Sequence, residues 1–442
     1  MCLAFHQNLE HFLRSCHCYK GARTVNFIMS KLPGAGRPRT ELRLQQKALR
    51  VAGVWAPTGG KASLAYGAYS GFVVLSVVVF LASQLSAMLH FWGDILSVTT
   101  NACVTFTYAM STFKFIVLLK MRPLTNKLIE ELDRCMECYG RTYAHQKASI
   151  FGTCARRSRR VSQMQLFVGV SIYVVWEVVP LLRVQSCSST ECRIQSGFPA
   201  LVWYPFSFTE APLYQVVFAV VSTGLFYGCF ISVSLDGAFC SLMIYVAGHL
   251  RFLNFMARNM CRAEKNGSRN RTPHGRHLTS ATDPDEEMRG RLRECVRYHN
   301  DIERLIQRLS ALVGPIMLGQ FLADMITVSV SAFVTTTLKA DSGWLFKYGS
   351  YLSGIAEQMF LYCWFGDEIL AESERLQVSV YSCDWTGGSQ RFLRELRIFQ
   401  CRTLRPLLLT ASKFYTITRE TFLLLINASY SYFALLNQLN SN

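Results

Sequence analysis

Charge is the scarcest commodity in this 442-residue chain: Asp, Glu, Lys and Arg make up 17% of it, against roughly 25% in soluble domains. Acid is the scarcer sign, with 29 Asp and Glu against 46 Lys and Arg. The sequence also lacks a phosphate-binding glycine loop and a nucleophile elbow. Its metal motifs are incomplete. Cys135-Met-Glu-Cys138 has no second pair, and Cys16-His17-Cys18 is too tight for one tetrahedral centre, so no metal or cofactor is expected. Sixteen cysteines follow no repeating framework, which excludes a small disulfide scaffold. No secretory signal precedes Gly67. These absences argue against an enzyme.

What is present is apolar length. A membrane-spanning helix needs about 20 mostly apolar residues. Seven stretches approach or exceed this: Gly67–His90, Gly93–Leu119, Gln163–Leu182, Pro212–Leu235, Ser310–Leu338, Tyr348–Phe365 and Arg419–Leu439. The apolar Gly237–Gly248 is too short to span and reads as a helix leaving the bilayer. The fold class expected is an all-α membrane protein of seven transmembrane helices, with the lipid bilayer as its first partner.

The basic residues orient the spans. Four segments hold most of the 46: the stretch before Gly67, Lys120–Ser162, Asp236–Leu309 and Gly366–Ala411. The other side has only Arg183, Arg193, Lys339 and Lys347. The N-terminus is therefore expected in the cytosol and the C-terminus outside, and the basic excess reflects topology, with no nucleic acid partner. A G-protein-coupled receptor has the opposite orientation. It would carry Asp-Arg-Tyr after its third span, which here runs into Arg183, and Asn-Pro-x-x-Tyr in its seventh, which here reads Asn427-Ala-Ser-Tyr430.

Four expected regions follow. Residues 1–66 form a cytoplasmic segment, with Met29 a second candidate start, and 67–365 hold six spans with a ligand pocket. Residues 366–411 form a cytoplasmic anchor region, and 412–442 the last span and a short outer tail. The outer loop Arg183–Ala211 contains Cys187 and Cys192, which either bridge or remain free thiols, and the aromatic run Phe198–Phe206, which either caps a pocket or forms an interfacial belt. The polar insert Arg262–Glu287 reads as disordered. After it, Leu292, Val296, His299, Ile302, Ile306 and Leu309 recur at helical spacing. That amphipathic helix either packs between subunits or lies on the bilayer. A second helix is expected after the Gly387-Gly388 break, stopped by Pro406.

Ionisable residues within spans are costly, which singles out Glu177, Asp324 and Glu357 as functional or as buried helix contacts. Candidate pocket aromatics are Phe106 and Tyr108 on the second span, Tyr173 and Trp176 on the third, Tyr214 on the fourth, and Tyr348 and Tyr351 on or beside the sixth. Each is equally a packing residue, because aromatics dominate bundle cores.

Cys363-Trp-Phe-Gly366-Asp-Glu368, then Ser373, Leu376, Tyr381 and Trp385, resemble the signature of the insect odorant-receptor family. So do Pro406-Leu-Leu-Leu-Thr410-Ala, Ser429-Tyr-Ser-Tyr432-Phe-Ala-Leu435-Leu, His299-Asn300-Asp-Ile302 and Trp203-Tyr-Pro205-Phe. The resemblance implies a plasma-membrane, ligand-gated, non-selective cation channel in olfactory sensory neuron dendrites. It implies a heterotetramer of an odour-tuning subunit and a shared co-receptor, opened by a small volatile ligand. The long insert is co-receptor-like, whereas the C-terminal Ser-Tyr-Phe-Ala-Leu-Leu form favours a tuning subunit. The related gustatory receptors, a homomeric alternative, end differently. The resemblance places the pore on the last span and its gate at Leu435 and Leu439. Ser431, Leu435 and Leu439 fall at i, i+4 and i+8 and so share one helix face.

Overall fold

The computed structural model describes residues 43–53, 61–184, 197–206, 208, 210, 212–261, 284–337 and 342–441. Cys187, Cys192, Met29, residues 1–42 and residues 262–283 of the polar insert lie outside them. The described chain is helical nearly throughout. In order it runs α1 (Arg43–Val51), α2 (Lys61–His90), α3 (Ile95–Lys120), α4 (Arg122–Cys138), α5 (Ala144–Val184), α6 (Leu213–Asn259), α7 (Pro284–Thr337), α8 (Ser342–Tyr381), α9 (Gln390–Thr403) and α10 (Arg419–Ser441). A short hairpin, β1 (Thr410–Ala411) with β2 (Tyr415–Thr416), joins α9 to α10.

Each of the seven apolar stretches falls in a different helix, but four of those helices run well past the apolar part. α5 starts nineteen residues before Gln163, α6 continues to Asn259, α7 begins at Pro284, and α8 runs through the 365/366 boundary to Tyr381. Apolar length marks what lipid can cover and says nothing about a helix that continues into protein. Among the described residues, six helices are long and apolar enough to cross a membrane. α8 does not reach that mark among the described residues, since Ser350, Ser353, Glu357 and Gln358 dilute its hydropathy. One local expectation is corrected, and two further elements had no counterpart among the expectations. Residues 284–287 of the polar insert are the acidic first turn of α7, favoured there by the helix dipole. The basic segment after the second span contains a whole helix, α4, begun by Pro123 in its first turn. The hairpin at 410–416 has no period long enough to announce it.

α6 is the central strut. It packs on α2, α3, α5, α7 and α8, and every residue from Phe239 to Leu250 is buried. This accounts for the apolar Gly237–Gly248 run: a helix apolar on all sides is enclosed by protein or by lipid, and here protein encloses it. One apolar core gathers this half of α6 with α4, α7, α8 and α9. A second, aromatic core occupies the other end of the bundle, with Phe80, Tyr108, Trp176, Phe198, Tyr348 and Tyr351.

The residues that carry the family resemblance make cross-element contacts. A side chain at Gly366 would meet the Ile417 carbonyl oxygen at 2.4 Å, so only glycine lets α8 lie on the hairpin. Asp367 pairs with Arg419 at 2.6 Å, and that guanidinium lies 4.5 Å from the Trp364 ring centre. Glu368 meets Arg157 at 2.6 Å and Arg251 at 2.9 Å. Ser373 Oγ accepts from Leu407 N at 2.7 Å. Ser329 Oγ donates to the Ser429 carbonyl at 2.9 Å, joining α7 to α10.

Candidate functional site

Between α3, α5, α6 and α8, within the aromatic half of the bundle, lies a cavity of about 110 Å³. Small residues make room for it. A Cβ on Gly228 would sit 2.2 Å from the Tyr108 ring, and one on Gly354 2.3 Å from Ile172. Close approach through glycine is a usual device of membrane helix pairs.

The helix directions sort the lining. α5 presents Gln165, Ile172, Tyr173 and Trp176 in order along its length, and the antiparallel α6 presents Leu225, Gly228, Ser232 and Asp236. One end of the cavity is therefore aromatic, with Tyr108, Tyr173, Trp176 and Tyr351. The other is polar, with Ser111, Gln165, Ser232, Asp236, Glu357 and Gln358. The aromatic roof is tightly keyed. Trp176 meets Tyr351 at 5.3 Å and Tyr348 at 5.8 Å between ring centres. Tyr351 OH donates to the Cys103 carbonyl at 3.0 Å and also pairs with Thr107. Behind Trp176 lies Lys347, 1% exposed, whose ammonium sits 4.2 Å from the Trp176 ring centre and 4.6 Å from that of Trp344 and donates to the Pro199 carbonyl at 2.7 Å. The Phe198–Phe206 loop thus packs on the side chains that roof the cavity. Trp203 of the same loop stacks on His90 at 4.7 Å.

The polar floor is built on an ion pair. Lys114 Nζ donates to Asp236 Oδ1 at 2.7 Å, with both side chains under 5% exposed. Gln358 Nε2 donates to Asp236 Oδ2 at 2.5 Å, and Tyr362 OH donates to Oδ1. One carboxylate thereby joins α3, α6 and α8. Nearby on α7, Gln320 donates to Asp324 at 2.6 Å. Glu177 accepts from Ser222 at 3.0 Å. Three buried polar atoms on cavity-lining residues have no hydrogen-bond partner: Gln165 Oε1, Glu357 Oε1 and Trp176 Nε1.

Of the seven aromatics singled out in the sequence, Tyr108, Tyr173, Trp176 and Tyr351 line this cavity and three do not. Phe106 lies on the opposite face of α3 from Thr107, Tyr108 and Ser111 and is 36% exposed. Tyr214 is three turns before Leu225 on α6 and packs on Phe198 at 5.1 Å. Tyr348 stands behind Trp176, stacked on Trp344 at 5.7 Å. Sequence reasoning missed the Lys114–Asp236 pair. Lys114 lies within the second apolar stretch, and Asp236 opens the basic segment Asp236–Leu309. The available signal was one charge of each sign in apolar surroundings on two antiparallel helices. The last helix is placed differently. Ser431, Leu435 and Leu439 are exposed on α10, with Leu435 51% and Leu439 65% accessible, and Ser431 Oγ donates to the Asn427 carbonyl at 3.1 Å.

Long apolar helices around a mostly apolar cavity define a multi-pass membrane receptor. The chain belongs to the 7tm odorant receptor family, whose sequence model matches residues 94–430. Among similar proteins, odorant receptor 2a of Drosophila melanogaster is 25% identical over 393 residues, spanning 87% of this chain and 94% of that one. The odorant receptor coreceptor of Anopheles gambiae is 27% identical over 177 residues, 40% of this chain and 36% of that one. The fold matches that of the olfactory receptor OR5 from Machilis hrabei, solved in complex with eugenol, with a TM-score of 0.76 at 18% identity over 91% of this chain and 98% of that one.

Proposed function

We propose that this chain is an odour-tuning subunit of a ligand-gated, non-selective cation channel, assembled with a shared co-receptor as a heterotetramer in the plasma membrane. A small, mostly apolar volatile binds the cavity between α3, α5, α6 and α8 and shifts the closed–open equilibrium by its preference for one state. The observation that carries this reading is the cavity itself, about 110 Å³ and walled by Tyr108, Tyr173, Trp176 and Tyr351. For scale, an apolar cavity of about 150 Å³ in another protein holds benzene. The exposed face of α10 supports a pore-lining role with Ser431, Leu435 and Leu439 toward the ion path, because little of that helix is covered within the single chain. α9 and the first half of α7 form the anchor on the cytosolic side. The test is co-expression with and without the co-receptor, read as odour-evoked current at matched surface level. Current only with the co-receptor is expected. Current from this chain alone would replace the heteromer by a homomeric, gustatory-type channel.

A further inference from the structure

We propose that the cavity selects ligands with a hydrogen-bond donor head, a hydroxyl or an amine, held at the polar floor with the apolar body under Trp176. This rests on the odorant-gated reading above and adds the ligand's chemical class and orientation. Gln165 is 4% exposed, and its Oε1 is buried without a partner. Glu357 Oε1 is buried and unpartnered too, and no cation pairs with Glu357 among the described residues. Both residues line the same end of the cavity. Neighbouring Asp236 is already met by Lys114, Gln358 and Tyr362. Both buried unmet atoms at this floor are acceptors.

Buried acceptors left unmet are costly, so a ligand that meets them gains selectivity over one that cannot. Ethers, aldehydes and hydrocarbons bring no donor. Of the buried unpaired lining atoms the donor, Trp176 Nε1, is eleven residues away along α5, about 16 Å by helical rise. One small head cannot reach both ends, so the asymmetry fixes which way the ligand lies. Glu357 gives an amine a carboxylate partner, whereas an alcohol needs only an acceptor.

The test uses five compounds on one skeleton: phenethyl alcohol, phenethylamine, phenethyl methyl ether, phenylacetaldehyde and ethylbenzene. Each is applied to the receptor with its co-receptor, and binding to the purified complex is measured in parallel by calorimetry. The alcohol and amine should act and bind at concentrations at least about tenfold lower than the other three, as expected for a site built around a hydrogen bond. Glu357→Gln should keep the alcohol's advantage and reduce the amine's. Gln165→Leu with Glu357→Leu should flatten the series, with ethylbenzene unweakened at matched surface level. An ether or aldehyde as potent as the alcohol, or an unchanged order in the double variant, overturns the proposal. The predicted order in binding without current would refute the channel reading and leave the head-group assignment standing.

Discussion

Lys114 and Asp236 show what one pair of charges does to a bundle of this kind. Each is buried, and each would be a severe liability alone: breaking a buried pair by removing one partner costs about 3–5 kcal/mol, because the other charge remains uncompensated. Lys114→Met should therefore sharply reduce surface expression and thermal stability in detergent. The double change Lys114→Met with Asp236→Asn should recover most of the loss, since no charge is then stranded. Equal damage in the single and double variants would show that packing, and not charge, is at stake. A smaller strain is stored at the hairpin, where Ser412 and Lys413 have φ values of 50° and 66°. A left-handed backbone costs an L-residue about 1–2 kcal/mol. Lys413→Gly should stabilise the fold by up to about 1 kcal/mol, seen as a raised melting temperature, and an unchanged or lower one would refute it.

At the scale of elements, α9 is held by polar links to α7. Ser389 caps α9 by accepting from Phe392 N at 3.2 Å, and its own hydroxyl donates to Asp285 in the first turn of α7 at 2.7 Å. Glu395 accepts from Arg289 at 2.7 Å, and Glu303 from Arg402 at 2.6 Å. The Arg289 hydrogen bond holds the Glu395 carboxyl below its ordinary value of 4.5. A carboxyl depressed in the folded state stabilises at higher pH and loses that contribution as pH falls through its folded value. Docking of α9 should accordingly be insensitive to pH near neutrality and weaken only below about pH 4.5, detectable by hydrogen exchange across 390–403. Glu395→Gln should remove that acid sensitivity. How far these elements can be read from sequence depends on what covers them. Helices facing lipid announce themselves by apolar length, and α7 before Ser310 announced itself by its three- and four-residue spacing. α4 hid in a segment that reads as a basic loop, because its short buried face of Leu128, Leu132 and Cys135 is diluted by charge. The cavity was half legible: aromatic identity pointed to Tyr108, Tyr173, Trp176 and Tyr351. Only the packing of four helices shows that Phe106 faces away, that Tyr348 stands one layer back, and that Asp236 and not Glu357 is the satisfied acid.

For the molecule as a whole, two proposals concern where its ends lie and what its last helix does. The inverted orientation puts Asn266-Gly-Ser268 and Asn270-Arg-Thr272, outside the described residues, in the cytosol, where they should stay unglycosylated. A glycosidase-sensitive mass shift abolished by Asn266→Gln with Asn270→Gln would reverse the topology. The last helix raises the sharper question. Leu423, Leu424, Tyr430, Leu435 and Leu439 of α10 are all more than half exposed, although this is the stretch the family resemblance makes the pore. Such a surface is completed either by other subunits and an ion path or by lipid. Ser431, on the same face as Leu435 and Leu439, donates to the Asn427 carbonyl of its own helix and so is satisfied on either surface, which leaves the decision to a measurement. In a four-fold assembly, rings of leucine close a pore by excluding water. Leu435→Ser and Leu439→Ser should wet that constriction, raising closed-state leak or altering permeation while leaving the order of effective odorants unchanged, because the cavity lies on other helices. Under a lipid-facing or purely packing role the same changes would lower surface expression and leave conductance, leak and permeability as they are. Single-channel recording at matched surface level separates the two outcomes.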